Sequence, residues 1–540
     1  MDDYVKVLKK TFGYDNFRDK QLEIIKAVLE DKKDVCSIMF TGAGKSLCFQ
    51  FPAVYSEKTA IVVSPLISLM NDQLKKMEKL NISTVCLNST VYNKNTLKES
   101  ILENEYRLVY ITPEYLITQE TFIKELNETN NLIGFYIDEA HCISMYGNDF
   151  RESYKQLDCL RDWCPEIPII ALTATATQLV QDEIIESLNL RDPLLIRTTF
   201  DRPNLVIKVN PKSGNFVNDI LNVMNKDDST IIYCQTRKMT ENISDKLKEH
   251  DINCDIYHAG MTSAERKEVH QKFIDNKLKC IIATIAFGMG VDFTIRKVIH
   301  YGIPKNIESY YQEIGRAGRD GLKSECYLFY SMNDMKTNNY FISQIEDKEY
   351  RDHMVQLSLT MKSYIFTSNC RRKYILDYFN ETYTKDNCET CDNCLNKKNI
   401  KINNFAKEAK LIFETLKLTN GTYGAVIITN IIRGSESKKM LDRFKESKVY
   451  GKGTKYPEKW WRYLIAILIN NQYIQEKAIS HGNSFTLSMT TKALRWLKEY
   501  DKDNKIELKL QTPKEMDSLI KPQKAIVFKN IDLVFKKKHR

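Results

Sequence analysis

The sequence predicts an α/β protein: two parallel-sheet lobes in tandem, then a helical metal-binding segment and a small basic domain. Three observations carry this prediction. Short apolar runs alternate with longer stretches of helical periodicity up to about residue 335. Four of the fourteen cysteines crowd between Cys370 and Cys394. Residues 401–540 hold 29 basic and 14 acidic side chains, whereas the preceding 400 residues are slightly acidic. A length of 540 residues leaves room for about three to five domains. With 43% hydrophobic and 28% charged residues, the chain is neither disordered nor a disulfide-stapled miniprotein. No uncharged apolar run reaches the roughly 18 residues of a spanning helix, and Met1–Lys6 opens no signal peptide. A soluble intracellular protein is therefore expected, without membrane contact, its cysteines mostly reduced.

In the first lobe, Asp34–Phe40, Thr59–Pro65, Arg107–Thr112, Leu132–Ala140 and Pro168–Thr175 read as strands, with Ile67–Leu80 among the intervening helices. Strands of five to eight residues separated by helices imply a doubly wound parallel sheet. A second set follows: Thr230–Thr236, Cys254–His258, Cys280–Thr284, Lys297–Gly302 and Glu325–Ser331. Between the sets, Asp201-Arg202-Pro203-Asn204 marks Arg197–Asn204 as a linker. Lys397–Asn404 reads as a second linker. The expected domains are 1–199, 200–338, 339–400 and 401–505, with a basic tail over 506–540.

The chemistry begins at Thr41-Gly42-Ala43-Gly44-Lys45-Ser46, between a strand and a helix. Small residues let backbone N–H groups wrap phosphates at a helix N-terminus. Lys45 would reach the β/γ-phosphates of ATP, and the Ser46 hydroxyl would hold Mg²⁺. The first glycine of the full phosphate-loop pattern is absent, its place taken by Met39. Asp138-Glu139 closes an apolar strand at its C-terminal end, where phosphate sites of such sheets lie. Asp138 would share the Mg²⁺ shell, and Glu139 would orient and deprotonate the attacking water. Gly315-Arg316-Ala317-Gly318-Arg319 sits in the second lobe; if the lobes face each other, Arg316 and Arg319 meet the phosphates from across the cleft. Lys45, Asp138, Glu139, Arg316 and Arg319 form the expected catalytic set.

Cys370, seventeen residues, then Cys388-x-x-Cys391-x-x-Cys394 supplies four thiolates for a closed, structural Zn²⁺ site. A redox Cys-x-x-Cys is the competing reading, and it would not require Cys370. The basic C-terminal quarter suits a polyanion.

Taken in order, these motifs resemble the RecQ family of superfamily 2 DNA helicases over about residues 5–500. The resemblance implies two RecA-like helicase lobes, a zinc-binding subdomain and a winged-helix domain. Phe12–Gln21 resembles the adenine-holding motif, with Arg18 and Gln21 in that role; Thr41, Gly42, Ala43, Gly44, Lys45 and Ser46 would complete the ATP site. Val63–Gln73 and Thr112-Pro113-Glu114 resemble strand-contacting motifs, and Leu172–Thr177 the element coupling hydrolysis to unwinding. Ile232–Arg237, Tyr257–Gly260 and Ala283–Gly290 resemble second-lobe motifs, with Thr236 and His258 as DNA contacts. Cys142–Arg151 resembles the family's aromatic loop, in which Tyr146 and Phe150 would stack on bases while Arg151 meets phosphate. Met145, Tyr146 and Asn148 depart from the family's usual Gln, Trp and His, and Phe40 from its usual Pro. Tyr423–Ile432, Lys438–Tyr450 and Trp460–Asn470 would be the winged-helix helices, Tyr473–Leu487 the wing, and Lys438, Lys439, Arg443, Lys452 and Lys455 its duplex contacts. The implied activity is ATP-, Mg²⁺- and Zn²⁺-dependent 3′–5′ unwinding, with single-stranded and duplex DNA as partners, in repair, recombination or replication. Oligomeric state stays open, a monomer being compatible. An RNA helicase of the same superfamily is one alternative; a non-enzymatic zinc/winged-helix DNA-binding regulator is the other.

Overall fold

The computed structural model describes residues 2–512 apart from 90, 148–149, 285–286, 288–293, 397–400, 437–440 and 480–483, together with 516 and 519. It divides into two compact units, one ending at Lys397 and one beginning at Lys398. Among the described residues, no helix is long and apolar enough to cross a membrane.

The first lobe is a seven-stranded, all-parallel sheet: β1 (Val35–Ile38), β2 (Thr59–Val63), β3 (Thr84–Leu87), β4 (Leu108–Ile111), β5 (Leu132–Asp138), β6 (Ile169–Thr173) and β7 (Leu194–Arg197), in the order β3-β4-β2-β5-β6-β1-β7. Helices cover both faces, so the central strands are buried throughout, as in Val35–Ile38 and Thr59–Val63. All five expected strands form. The two without an anticipated run, β3 and β7, are the edges of the sheet. Leu195 on β7 is 54% exposed, whereas Val85, Cys86 and Leu87 on β3 are buried.

The second lobe repeats the design with six parallel strands: β8 (Leu205–Pro211), β9 (Thr230–Cys234), β10 (Cys254–Tyr257), β11 (Cys280–Ala283), β12 (Lys297–Tyr301) and β13 (Ser324–Tyr330), in the order β10-β11-β9-β12-β13-β8. Here again the unanticipated strand, β8, is an edge. Of the expected linker Arg197–Asn204, residues 198–204 run between β7 and β8. Arg197 ends β7, and Arg202 is buried, donating to carbonyls of both lobes.

Helices Met332–Ser343, Lys348–Phe366 and Arg371–Tyr378 lead into the cysteine cluster. Edge strand β8 anchors that cluster, because Ile207 N donates to Thr390 O (3.2 Å) and Val209 N to Asp392 Oδ2 (3.1 Å). Within the cluster, Asp392–Leu395 forms a helical turn. Asn393 Nδ2 ties it to the carbonyls of Thr367 and Asn369 at 2.8 and 2.7 Å.

The second unit packs helices Ala406–Leu418, Ala425–Arg433, Glu458–Asn470 and Thr491–Lys502 beside an antiparallel hairpin, β15 (Ile474–Ile479) with β16 (Ser484–Met489). Tyr456 stacks on Trp460 at 3.7 Å, and Trp461 Nε1 donates to Gly453 O at 2.9 Å. Two expectations are corrected here. Of the helix expected over 438–450, residues 438–440 lie outside the described residues; beyond them only Asp442–Lys445 is helical, followed by turns in which Gly451 adopts φ +71°. Lys397–Asn404 is not only a linker: Lys401–Asn404 forms β14, antiparallel to β17 (Lys509–Thr512), so this unit extends past residue 505 into the expected tail. The wing turn 480–483 and residues 520–540 lie outside the described residues.

Candidate active site

The loop Thr41–Ser46 joins β1 to the helix Leu47–Tyr55. Gly42 and Gly44 take φ +97° and +88°, which L side chains rarely adopt. The loop is also crowded. A Cβ on Gly44 would lie 2.4 Å from Gln21 Nε2, and one on Gly42 3.2 Å from Arg319 Cγ. Gln21 Nε2 donates to Gly44 O (2.9 Å) and Arg18 Nη1 to Gly42 O (2.5 Å), while Arg18 N donates to Gln21 Oε1 (2.7 Å). Both expected adenine-site residues are thus joined to the loop itself. Lys45 Nζ donates to Met39 O at 3.2 Å. Burial lowers the pKa of its ammonium, opposed by the charges of Glu139 and Asp138 and reinforced by Arg319. The half-buried Ser46 stands at the N-terminal boundary of the following helix, its side chain making no capping hydrogen bond.

Asp138 ends β5, one strand from β6 and two from β1. Its Oδ1 accepts from Glu139 N at 3.0 Å, and its pKa is pushed up to about 7, first by burial and then by the neighbouring Glu139 charge. Glu139 holds a left-handed φ of +50°, and its buried Oε2 accepts no hydrogen bond. A half-buried acid pair in which the Glu139 Oε2 lacks a hydrogen bond fits a divalent cation, which Asp138 and Ser46 would hold.

From these acids a polar path leads to the second lobe. His141 Nδ1 lies 2.8 Å from Thr173 Oγ1 and 3.4 Å from Glu139 Oε2. Thr173 Oγ1 donates to Thr175 O at 3.2 Å, and Gln312 Nε2 of the second lobe donates to Thr175 Oγ1 at 2.8 Å. The arginine turn follows directly. The Cβ position of Gly315 is 3.3 Å from Thr41 Cβ, and Arg319 packs on Gly42. Arg316 is buried beside Tyr233 of β9, partly offsetting the rise that burial imposes on the Tyr233 phenol. The cleft therefore brings Lys45, Asp138, Glu139 and Arg319 into one electrostatic neighbourhood.

The expected DNA-contact residues occupy several settings. Tyr146 packs edge-on against His353 at 5.1 Å, and its hydroxyl donates to Glu349 Oε1 at 3.2 Å. Phe150 lies 6.0 Å from the Tyr350 ring and under Lys155, while Arg151 Nη1 donates to Pro65 O at 2.9 Å. The aromatic segment thus lies between the first lobe and the helix Lys348–Phe366. Thr236 caps the helix Arg237–Glu249, accepting from Met239 N. His258 is buried, its Nδ1 accepting from Gly260 N at 3.2 Å. Most of the motif over 283–290, and Asn148, lie outside the described residues.

The four sulfurs of Cys370, Cys388, Cys391 and Cys394 lie within 4.8 Å of one another. A tetrahedral zinc with bonds near 2.3 Å needs sulfurs ~3.8 Å apart, so the cluster fits the ion after slight contraction. Backbone N–H groups of Lys373, Cys391 and Cys394 donate to Cys370, Cys388 and Cys391 sulfurs at 3.5, 3.3 and 3.4 Å, favouring thiolates. In the second unit, Arg443 Nη2 donates to Tyr423 Oη (3.3 Å), Lys455 lies over Tyr456 and Lys452 is exposed; Lys438 and Lys439 are outside the described residues. One residue at the cleft was missed from sequence: Arg202, whose signal was only a charged residue inside a turn-like Asp-Arg-Pro-Asn.

Comparison with known proteins agrees with this architecture. Residues 18–183 match the DEAD/DEAH box helicase family, 214–321 the helicase conserved C-terminal domain, 332–395 the RecQ zinc-binding family and 399–517 the RQC domain. A protein of Acanthamoeba polyphaga mimivirus whose name reads ATP-dependent RNA helicase R290 is 43% identical over 92% of each chain. The ATP-dependent DNA helicase RecQ of Bacillus subtilis is 36% identical over 95% of this chain and 87% of its own. A crystal structure of the helicase MrfA bound to DNA and AMPPNP shares the fold, with TM-score 0.53 and 17% identity over 70% of this chain and 56% of that one. A tandem pair of parallel-sheet lobes, a four-cysteine cluster on the second lobe and a following RQC unit, with a bacterial RecQ matched nearly end to end, place the chain in the RecQ family of ATP-dependent DNA helicases.

Proposed function

We propose that this helicase couples ATP hydrolysis to 3′–5′ movement along single-stranded DNA and opens duplex DNA ahead of it. The observation carrying the reading is the packing of Arg319 on Gly42, which sets a second-lobe cation against the phosphate loop of the first. A nucleotide bound there makes contact with both lobes, so loss of its terminal phosphate changes how they hold each other. Lys45 and the loop N–H groups bind the phosphates, and Arg18 and Gln21 hold the base side. Glu139 takes the proton of the attacking water; Arg316 and Arg319 stabilise charge on the transferring group. A bound Mg²⁺ supplies charge neutralisation of the phosphates.

Tyr146, Phe150 and Arg151 receive the single strand, aided by Thr236 and His258, and the RQC unit meets the duplex through its basic surface. The cellular setting we assign is DNA repair, recombination or replication, wherever the host keeps its DNA. The test is unwinding of a 3′-tailed duplex with ATPase assays on matched DNA and RNA strands. Wild type should be stimulated by DNA and unwind, while Lys45→Ala should lose activity by about 10²–10³-fold. Equal ATPase with and without DNA, or an active Lys45→Ala, would overturn the reading.

The mimivirus relative's RNA-helicase name supports a second reading, an RNA helicase. Stronger stimulation by RNA than by the matching DNA would select it.

A further inference from the structure

We propose that Arg202 is a positioning residue for ATP hydrolysis, its guanidinium holding the arginine-bearing turn of the second lobe against the phosphate loop of the first. The inference rests on the reading of the cleft as an ATP hydrolysis site. Arg202 Nη1 donates to Thr41 O and Gly315 O, both at 3.2 Å, and Nη2 donates to Ala317 O and Gly318 O, both at 2.9 Å. Three of these four acceptors belong to the turn that carries Arg316 and Arg319; the fourth belongs to the phosphate loop. Arg202 is only 7% exposed, and its guanidinium lies over the Phe40 ring, 5.4 Å from the centroid.

Only a planar fork of fixed donors can reach four carbonyls on two sides at once. A lysine ammonium offers three donors from one point and would leave buried carbonyls unpaired. Asn204 supports the same turn, its Nδ2 donating to Gly318 O (2.9 Å) and Leu322 O (3.0 Å). The bonds are unequal in distribution, three to the second lobe and one to the first. Arg202 therefore travels with the arginine turn when the cleft opens, and its bond to Thr41 is remade on each closure. Its role is to set where Arg316 and Arg319 arrive, without itself touching the phosphates.

The experiment measures kcat and KM for ATP on the full chain with saturating single-stranded DNA, for wild type, Lys45→Ala, Arg202→Ala and Arg202→Lys, alongside melting temperature and circular dichroism. Arg202→Lys keeps the charge and most of the buried stem, so it serves if Arg202→Ala does not fold. Both Arg202 variants should lower kcat on the order of 10²-fold, as a misplaced catalytic group does, while KM changes by less than about threefold. A purely structural role would not split the two constants. The proposal is overturned if the Lys variant keeps kcat within about twofold of wild type, or if the loss falls on KM alone. Either result with an active wild type and an inactive Lys45→Ala leaves the ATP-site reading standing. An inactive wild type, or a Lys45→Ala as active as wild type, removes that reading and this proposal with it.

Discussion

Residues at the cleft are held by contacts with side chains distant in sequence that the fold brings to them. Gly44 combines a left-handed backbone with a Gln21 amide where a Cβ would stand. Gly44→Ala should therefore displace Gln21 and distort the loop. The backbone strain alone costs about 1 kcal/mol, small against a typical folding stability of 5–15 kcal/mol. ATP affinity should thus fall at least tenfold, roughly 1.4 kcal/mol, while the melting temperature drops only a few degrees. Titration with a fluorescent ATP analogue and a thermal melt check both halves. Glu139 combines a strained φ with a buried oxygen that accepts no hydrogen bond, at the position we propose for the water-activating base.

Among the elements, the central strands of both sheets were legible, and of the four edge strands only β10 was. β1, β2, β5 and β6 announce themselves because helices cover both their faces. β3, β7 and β8 sit at edges, and β14 and β17 pair only with each other, so each has fewer neighbours to constrain its sequence, although β10, also an edge, was read from Cys254–His258. Arg202 stayed hidden for a related reason: its acceptors are backbone carbonyls, which leave no mark in sequence. The phosphate loop, Asp138-Glu139, the arginine turn and the four cysteines were legible because their chemistry fixes both residue type and spacing.

Two predictions belong to this scale. Chelating zinc from the native protein should unfold the segment around Cys370–Cys394, since structural zinc sites contribute on the order of 10 kcal/mol. A thermal melt and proteolysis near residue 390 after chelator treatment, or in Cys388→Ser, should show it; unchanged resistance would contradict a structural ion. Truncation after residue 505 removes β17 together with buried Leu508 and Leu510, and frees Thr512's bond to Lys401 O. Burying two leucines is worth about 3–6 kcal/mol, so the truncated chain should melt measurably earlier than the full one. An unchanged melt would mean that β14 and β17 do not stabilise the unit.

For the molecule as a whole, the account depends on two sheet-built lobes presenting complementary parts of one site. The first contributes Lys45, Ser46, Asp138 and Glu139; the second contributes Arg316 and Arg319, with Arg202 and Gln312 bridging. In the mechanism we propose, neither lobe alone holds a full set of charges for phosphoryl transfer, so hydrolysis and the relative placement of the lobes would be one event. Single-turnover ATP hydrolysis by Arg319→Ala, with nucleotide affinity measured in parallel, tests this most directly. The account predicts a rate lower by about 10³-fold or more with nearly unchanged ATP binding, as expected for a residue acting on the transition state. A rate within a fewfold of wild type would contradict it.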